Sequence, residues 1–144
     1  MSTRAPDFRE PSGVERIFNK AFGLLVQVRG RKTGRVYAAP VNLVEMAGRR
    51  FLVAPRGRTQ WVRNAEAAGE VVLERGASRR RFRIRAVPNE DKPEILKTYL
   101  DRFKLAVQRY FAVPAGSDTG AFREIADRYP VFELLPASEA PSPR

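Results

Sequence analysis

Hydrophobic and polar positions along this chain follow two periods. Period two is clearest at the arginine-rich stretch, where Arg79, Arg81, Arg83 and Arg85 fall on one face and Phe82, Ile84 and Ala86 on the other. That alternation predicts a half-buried strand over Arg79–Val87. Shorter apolar runs predict strands at Leu24–Val28, Val36–Met46, Arg50–Ala54, Glu70–Glu74 and Val131–Leu135. Pro40 interrupts the second of these and implies an edge position or a bulge, because proline cannot donate to the ladder. Helical spacing appears in Ile95, Leu96, Tyr99, Leu100, Phe103, Val107 and Tyr110, so a long amphipathic helix is expected over Glu90–Phe111, with Pro93 in its first turn. Shorter helices are expected over Gly13–Phe22 (capped by Ser12 and stopped by Gly23), from Gln60 to about Ala68 behind Thr59 as N-cap, and over Gly120–Tyr129.

Most neighbouring strands are joined by hairpin-length turns, which argues against alternating βαβ units. The expected architecture is a small, partly open β-barrel with helices packed on it, an α+β arrangement. At 144 residues one domain is expected, at 13–135, between an N-terminal arm at 1–12 and a polar tail at 136–144. No apolar run reaches the ~18 residues of a membrane span, and the N-terminus has no basic start followed by an apolar run. Cysteine is absent, which fits a cytoplasmic protein. Histidine is absent too, so a Ser–His triad and histidine acid–base work are excluded. An enzyme built from this sequence is expected to position a cofactor that carries the chemistry, and hydride transfer least needs protein acids and bases.

Charge sharpens the picture. Fifteen of the 27 Lys and Arg lie between Arg29 and Arg85 against four acids, so the whole net charge of +11 sits in that strand-rich block. An anion is the expected partner. Two glycine-containing basic loops lie within it. The first, Gly30-Arg31-Lys32-Thr33-Gly34, is not a phosphate-binding P-loop, since its glycine spacing is wrong and no helix follows; its ordinary reading is a solvated hairpin tip. The second, Pro55-Arg56-Gly57-Arg58-Thr59, leads from a strand into a helix start, where an anion would meet free N–H groups and the positive end of a helix dipole. Trp61 follows it, and its ordinary reading is a plug between helix and sheet.

Taken together, G-R-K-T-G-R at Gly30–Arg35, Pro40-Val41, the basic loop, W-x-x-N-x-x-A at Trp61–Ala67, the Arg-rich strand and P-V-F-E-L at Pro130–Leu134 resemble the deazaflavin-dependent nitroreductase family. The resemblance covers about residues 24–135. It implies a split β-barrel of the FMN-binding kind and, as cofactor, coenzyme F-420, a deazaflavin whose phosphodiester tail carries several glutamates. It maps Pro55, Arg56, Gly57, Trp61 and Asn64 to the ring and phosphate, and Arg31, Lys32, Thr33, Pro40 and Val41 to the cofactor groove. Where well-known members carry Ser-Lys-Gly-Gly, this chain has Pro55-Arg56-Gly57-Arg58; Arg56 replaces the lysine as cation, while Pro55 has neither hydroxyl nor N–H to give. Where the family presents several tyrosines to substrate near the C-terminus, this chain has only Tyr110, Phe111 and Tyr129 to stand in, with Tyr110 and Tyr129 as the substrate-side candidates and no catalytic residue assigned.

The first reading is therefore an oxidoreductase passing a hydride from reduced coenzyme F-420 to a small organic acceptor: a quinone, an activated alkene or a nitro compound. A second is a basic barrel that binds nucleic acid, against which stands the inward direction of the strand aromatics. A third is a non-catalytic carrier of FMN or deazaflavin. The arginine face of the 79–85 stretch could hold a polyanion, but its ordinary reading is a solvated outer surface. A homodimer is compatible with the sequence.

Overall fold

The structure is a computed structural model and describes residues 23–137. The expected arm and the expected helix at 13–22 lie outside the described residues, as does the tail beyond 137. The chain divides into two compact units. The first holds the residues up to Val41, Gln60–Ile84 and the chain from Leu135 on; the second holds Asn42–Thr59 and Arg85–Leu134.

In the first unit, β1 (Leu25–Arg29), β2 (Val36–Pro40), β5 (Glu70–Arg75) and β6 (Ser78–Ala86, whose last two residues belong to the second unit) are antiparallel in the order β2-β1-β5-β6. Val26 sits between Ala39 of β2 and Leu73 of β5, and Val71 faces Phe82 of β6. These apolar partners are buried apart from Ala39. Helix α1 (Gln60–Ala68) packs on β1 and β5 and buries Val62 and Ala65. Pro40 ends β2, the outer strand, so the expected edge position is found. The expected continuous strand over Val36–Met46 is not. Proline has no N–H to continue the ladder, and after it Val41 N donates to Leu24 O at 3.1 Å before β3 begins at Leu43.

The second unit contains β3 (Leu43–Met46), β4 (Arg49–Val53) and β7 (Val131–Pro136, whose last two residues belong to the first unit), in the order β7-β4-β3. Helices α2 (Pro93–Val107) and α3 (Thr119–Ile125) supply the rest of its core. The apolar stripe read from the sequence faces inward: Ile95, Leu96, Tyr99, Leu100 and Val107 are buried against Val44, Phe51, Val53, Phe122 and Val131. The long helix is shorter than its periodicity predicts. It has non-helical backbone at Phe103 (φ −113°, ψ 25°), ends at Val107, and continues as a single 3-10 turn over Gln108–Tyr110. The expected last helix likewise closes at Ile125 and passes into a 3-10 turn at Ala126–Arg128. Lys92, at the start of α2, is buried. Its Nζ donates to Ala126 O at 3.1 Å beyond the end of α3, and burial pushes its pKa down.

Glu133 is the buried acid of this unit. It accepts from Arg49 Nε and Nη2, both at 2.9 Å, and from Arg85 Nη2. The bond from Arg49 is the chief cause that holds its carboxyl down at about 2 from an ordinary 4.5, with burial working the other way and Arg85 adding to the effect. A carboxylate depressed in the fold stabilises it fully above the unfolded value and progressively less as pH falls towards the folded one. We expect Glu133→Gln to cost about 2 kcal/mol near neutral pH. The gap to wild type should narrow as pH falls through about 4.5 towards about 2. Urea unfolding at a series of pH values measures both, and a gap independent of pH would remove the ion pair from this account.

Candidate functional site

The two basic loops fall in different units. In the first unit, the β1–β2 hairpin is closed by Gly30 N donating to Arg35 O at 2.6 Å and Gly34 N donating to Gly30 O at 3.0 Å. Glycine is required at position 30 by space: a Cβ there would lie 2.7 Å from Tyr37 Cε2 and 3.1 Å from Arg35 O. The tip is tied to α1 through one residue. Arg31 donates its backbone N–H to Asn64 Oδ1 at 3.0 Å, and its Nη1 to Asn64 Oδ1 at 2.8 Å and to Gln60 Oε1 at 3.0 Å. Asn64 is buried and Gln60 is exposed. Two residues that the resemblance assigned to the cofactor, Arg31 and Asn64, are thus brought together, but as partners of each other. Thr33 Oγ1 is also engaged, accepting from Arg35 N at 3.1 Å. The tip cations whose side chains have no partner among the described residues are Lys32 and Arg35. Trp61 is half-buried in the first turn of α1, not fully enclosed in the core as a plug would be. Val41 is buried and Pro40 half-buried.

In the second unit, β4 ends at Val53 and Ala54 N donates to Pro130 O at 2.9 Å, which fixes where the basic loop starts. Gly57 adopts φ +85°, a left-handed conformation that other residues reach only with strain. This turn lets Gly57 N reach Ala54 O at 3.1 Å and Thr59 N reach Gly57 O at 2.9 Å. Thr59 directly precedes α1, but its side chain does not make the cap bond expected of it. Its Oγ1 is buried and has no hydrogen-bond partner. A buried hydroxyl without a partner is costly and calls for a ligand or other polar group.

Arg56 is exposed, and its guanidinium carbon lies 5.9 Å from the centre of the Tyr110 ring. The guanidinium carbon of Arg109 lies 5.0 Å from the same centre, and Arg109 Nη2 donates to Tyr110 Oη at 2.9 Å. Sequence reasoning passed over Arg109. Its signal was there, an arginine beside a candidate tyrosine, but successive residues of a continuous helix point apart. In the structure the long Arg109 side chain nevertheless folds back onto the ring of its neighbour in the turn at Gln108–Tyr110. Tyr129 is placed differently from Tyr110. It is buried, stacks on Phe111 at 4.4 Å and 18°, donates to Tyr110 O at 2.9 Å and accepts from Ala112 N at 3.3 Å. Its hydroxyl is already used on both sides. Phe111 is buried between Tyr99, Phe122 and Tyr129.

On β6, Arg79, Arg81 and Arg83 are exposed, while Phe82 is buried. The register sets Arg79 opposite Glu74 and Arg83 opposite Glu70, so acids interleave with this face. Its aromatic residue points inward and offers no base a stacking surface. Among the described residues no cluster of three His, Cys, Asp or Glu is arranged for a metal ion, and no helix is long and apolar enough to cross a membrane.

Solved structures with this fold include the protein Atu2129 of Agrobacterium tumefaciens (TM-score 0.54, 18% identity, covering 90% of this chain and 58% of that one). They also include HutZ, described as a haem storage protein, from Vibrio cholerae (0.56, 12%, 85% and 87%). A third is an F420-H2 dependent reductase, FDR-A (0.50, 19%, 77% and 91%). The chain thus spans little more than half of the Atu2129 chain. At these identities the likeness shows the fold, a split β-barrel with helices, as expected. No curated protein sequence matches the chain. Residues 4–112 match the family described as F420H(2)-dependent quinone reductase, and the chain belongs to that family. The cofactor is coenzyme F-420, the one that the family resemblance implied.

The bond set on Asn64 generates a prediction. Asn64→Ala removes the acceptor of two Arg31 bonds, and the Arg31 amide should then exchange with solvent at least roughly tenfold faster, measured by hydrogen exchange with residue resolution. Exchange at Arg31 unchanged from wild type would mean that the hairpin tip is held by something other than α1.

Proposed function

We propose that the protein uses reduced coenzyme F-420 to reduce a quinone to the quinol. Family membership over residues 4–112 is the observation that carries this reading. Local chemistry supports it. A phosphodiester suits the unpartnered buried hydroxyl of Thr59 and the exposed cation of Arg56, with the left-handed Gly57 between them in the loop. In the first unit, taken by itself, Lys32 and Arg35 are the tip cations with no side-chain partner among the described residues, because Arg31 is held by Asn64 and Gln60. Reduced deazaflavin, when bound, supplies a hydride from its central ring.

What the chain contributes is binding, orientation and one proton. Arg56 and Thr59 fix the phosphodiester and with it the position of whatever is attached. Tyr110 is the residue assigned to the acceptor. Its hydroxyl oxygen accepts from Arg109 and its hydrogen is uncommitted among the described residues, so it can be given to a quinone oxygen. Tyr129 is assigned the task of holding that turn, since both sides of its hydroxyl are used. The net change is quinone plus hydride plus proton to quinol. An alkene or nitro acceptor needs the same hydride, but the family's own description favours the quinone.

The test is a fluorescence titration with coenzyme F-420, repeated with FMN and with single-stranded DNA, followed by turnover with a naphthoquinone. Saturable binding of the deazaflavin alone is expected. Arg56→Ala and Lys32→Ala should each weaken it by about 1–3 kcal/mol, the range for one charge-assisted hydrogen bond. Unchanged affinity in both variants would place the site elsewhere on the molecule.

A further inference from the structure

Arg109 has a position but, in the reading above, no task beyond its bond to Tyr110. It is exposed, yet its guanidinium is drawn back over the ring next to it. Arg56 approaches the same ring from a loop more than fifty positions earlier in the chain. Neither guanidinium has a carboxylate partner among the described residues. This differs from the arrangement at Glu133, where two arginines of the same unit converge on an acid. Two like charges gathered on one aromatic ring repel each other, and the ring's own attraction, about 0.5–1 kcal/mol at an exposed site, is a weak reason to gather them. An anion arriving there would meet two guanidinium forks and the free hydrogen of the Tyr110 hydroxyl. All three are donors, and the only acceptor in the group, Tyr110 Oη, is already taken by Arg109.

We propose that Arg56, Tyr110 and Arg109 read a negative charge on the acceptor, so that the preferred substrates are acidic quinones: ring systems bearing a carboxylate, a sulfonate or an ionised hydroxyl. This rests on the quinone reductase reading and names the substrate class within it. Arg109 acts here as a specificity residue. It recognises the charged substituent, while the proton given to the quinone oxygen comes from Tyr110. The competing account is mechanical: the bond from Arg109 only pins the 3-10 turn. That account predicts losses on Arg109 substitution that are blind to the charge of the acceptor.

The experiment compares 1,4-naphthoquinone-2-sulfonate with uncharged 1,4-naphthoquinone in wild type, Arg109→Gln and Arg109→Lys, all full length and loaded with reduced coenzyme F-420. The ratio of kcat/KM between the two quinones cancels any shared structural damage. The ratio should fall roughly tenfold or more in Arg109→Gln, mostly through KM of the sulfonate, and recover in part in Arg109→Lys, which restores charge without the planar fork. A calorimetric titration of the unloaded protein with naphthalene-2-sulfonate, which cannot be reduced, reads the same site without turnover. Binding should be saturable in wild type and weakened in Arg109→Gln. A rate ratio identical in all three proteins, or sulfonate binding insensitive to Arg109, overturns the proposal. Failure of coenzyme F-420 to bind would sink the reductase reading instead, and the calorimetric result would still decide whether an anion is read at this ring.

Discussion

Repulsion among like charges is the constraint under which this chain folds. A net charge of +11 on 144 residues, all of it in the block from Arg29 to Arg85, must be distributed so that cations either find partners or face solvent. Some are committed internally. Arg31 is held by Asn64 and Gln60, and Arg49 and Arg85 by the buried carboxylate of Glu133. Each of these bonds also does structural work, tying a hairpin tip to a helix in one unit and β4, β6 and β7 residues to each other in the second. Others have no carboxylate partner among the described residues: Lys32, Arg35, Arg56, Arg81 and Arg83 inside the block, and outside it Arg109, which bonds to Tyr110 Oη. The sorting separates cations that hold the fold from cations that can meet a ligand, and charge counting alone cannot make that distinction.

Much of the architecture was legible because it rests on local rules. Strict alternation at residues 79–87 marked β6 with its buried Phe82, and the helical stripe at 95–107 marked the buried face of α2. Proline at position 40 announced an outer strand. The misreadings have a common cause. Apolar spacing continues past the point where the backbone changes course, so Val36–Met46 read as one strand and Glu90–Phe111 as one helix. Periodicity records which side of an element is apolar. It does not record the hydrogen bond, such as Val41 N to Leu24 O, that turns the chain away.

The site was legible in a different measure. Two glycine-containing basic loops pointed to an anion, and their pairing pointed to the family and its cofactor. The roles of single residues were not readable, because they depend on partners distant in sequence. Arg31 and Asn64 are 33 positions apart, and nothing in their sequence surroundings shows that they bond to one another. Thr59 looked like a helix cap, a role that would have consumed its hydroxyl; the hydroxyl is instead buried and unused. Tyr110 and Tyr129 were equivalent on paper. The fold distinguishes them by giving Tyr129 both a donor and an acceptor role in the turn beneath Tyr110.

A chain without histidine has to manage charge without a side chain that titrates near neutrality by nature. Two other routes were open to this chain, a buried lysine and a buried tyrosine. The fold closes both. Lys92 is lowered by burial, but its ammonium is occupied by Ala126 O at the end of α3. Tyr99 is pushed up by burial and bonded to Asn42, deep among Phe103 and Phe111. What remains near the surface of the second unit is fixed positive charge beside a phenol. Fixed charge does not need to change protonation to act. It favours whichever state of the reaction is more negative, and it is already oriented before the reaction starts. In the proposed reaction, hydride arriving at a quinone would make such a state, because the acceptor gains negative charge before it gains a proton. In that proposed reaction the Arg56 and Arg109 guanidinium groups beside the Tyr110 ring suit the acceptor's gain of electrons as well as an acidic substituent, and need no histidine for either.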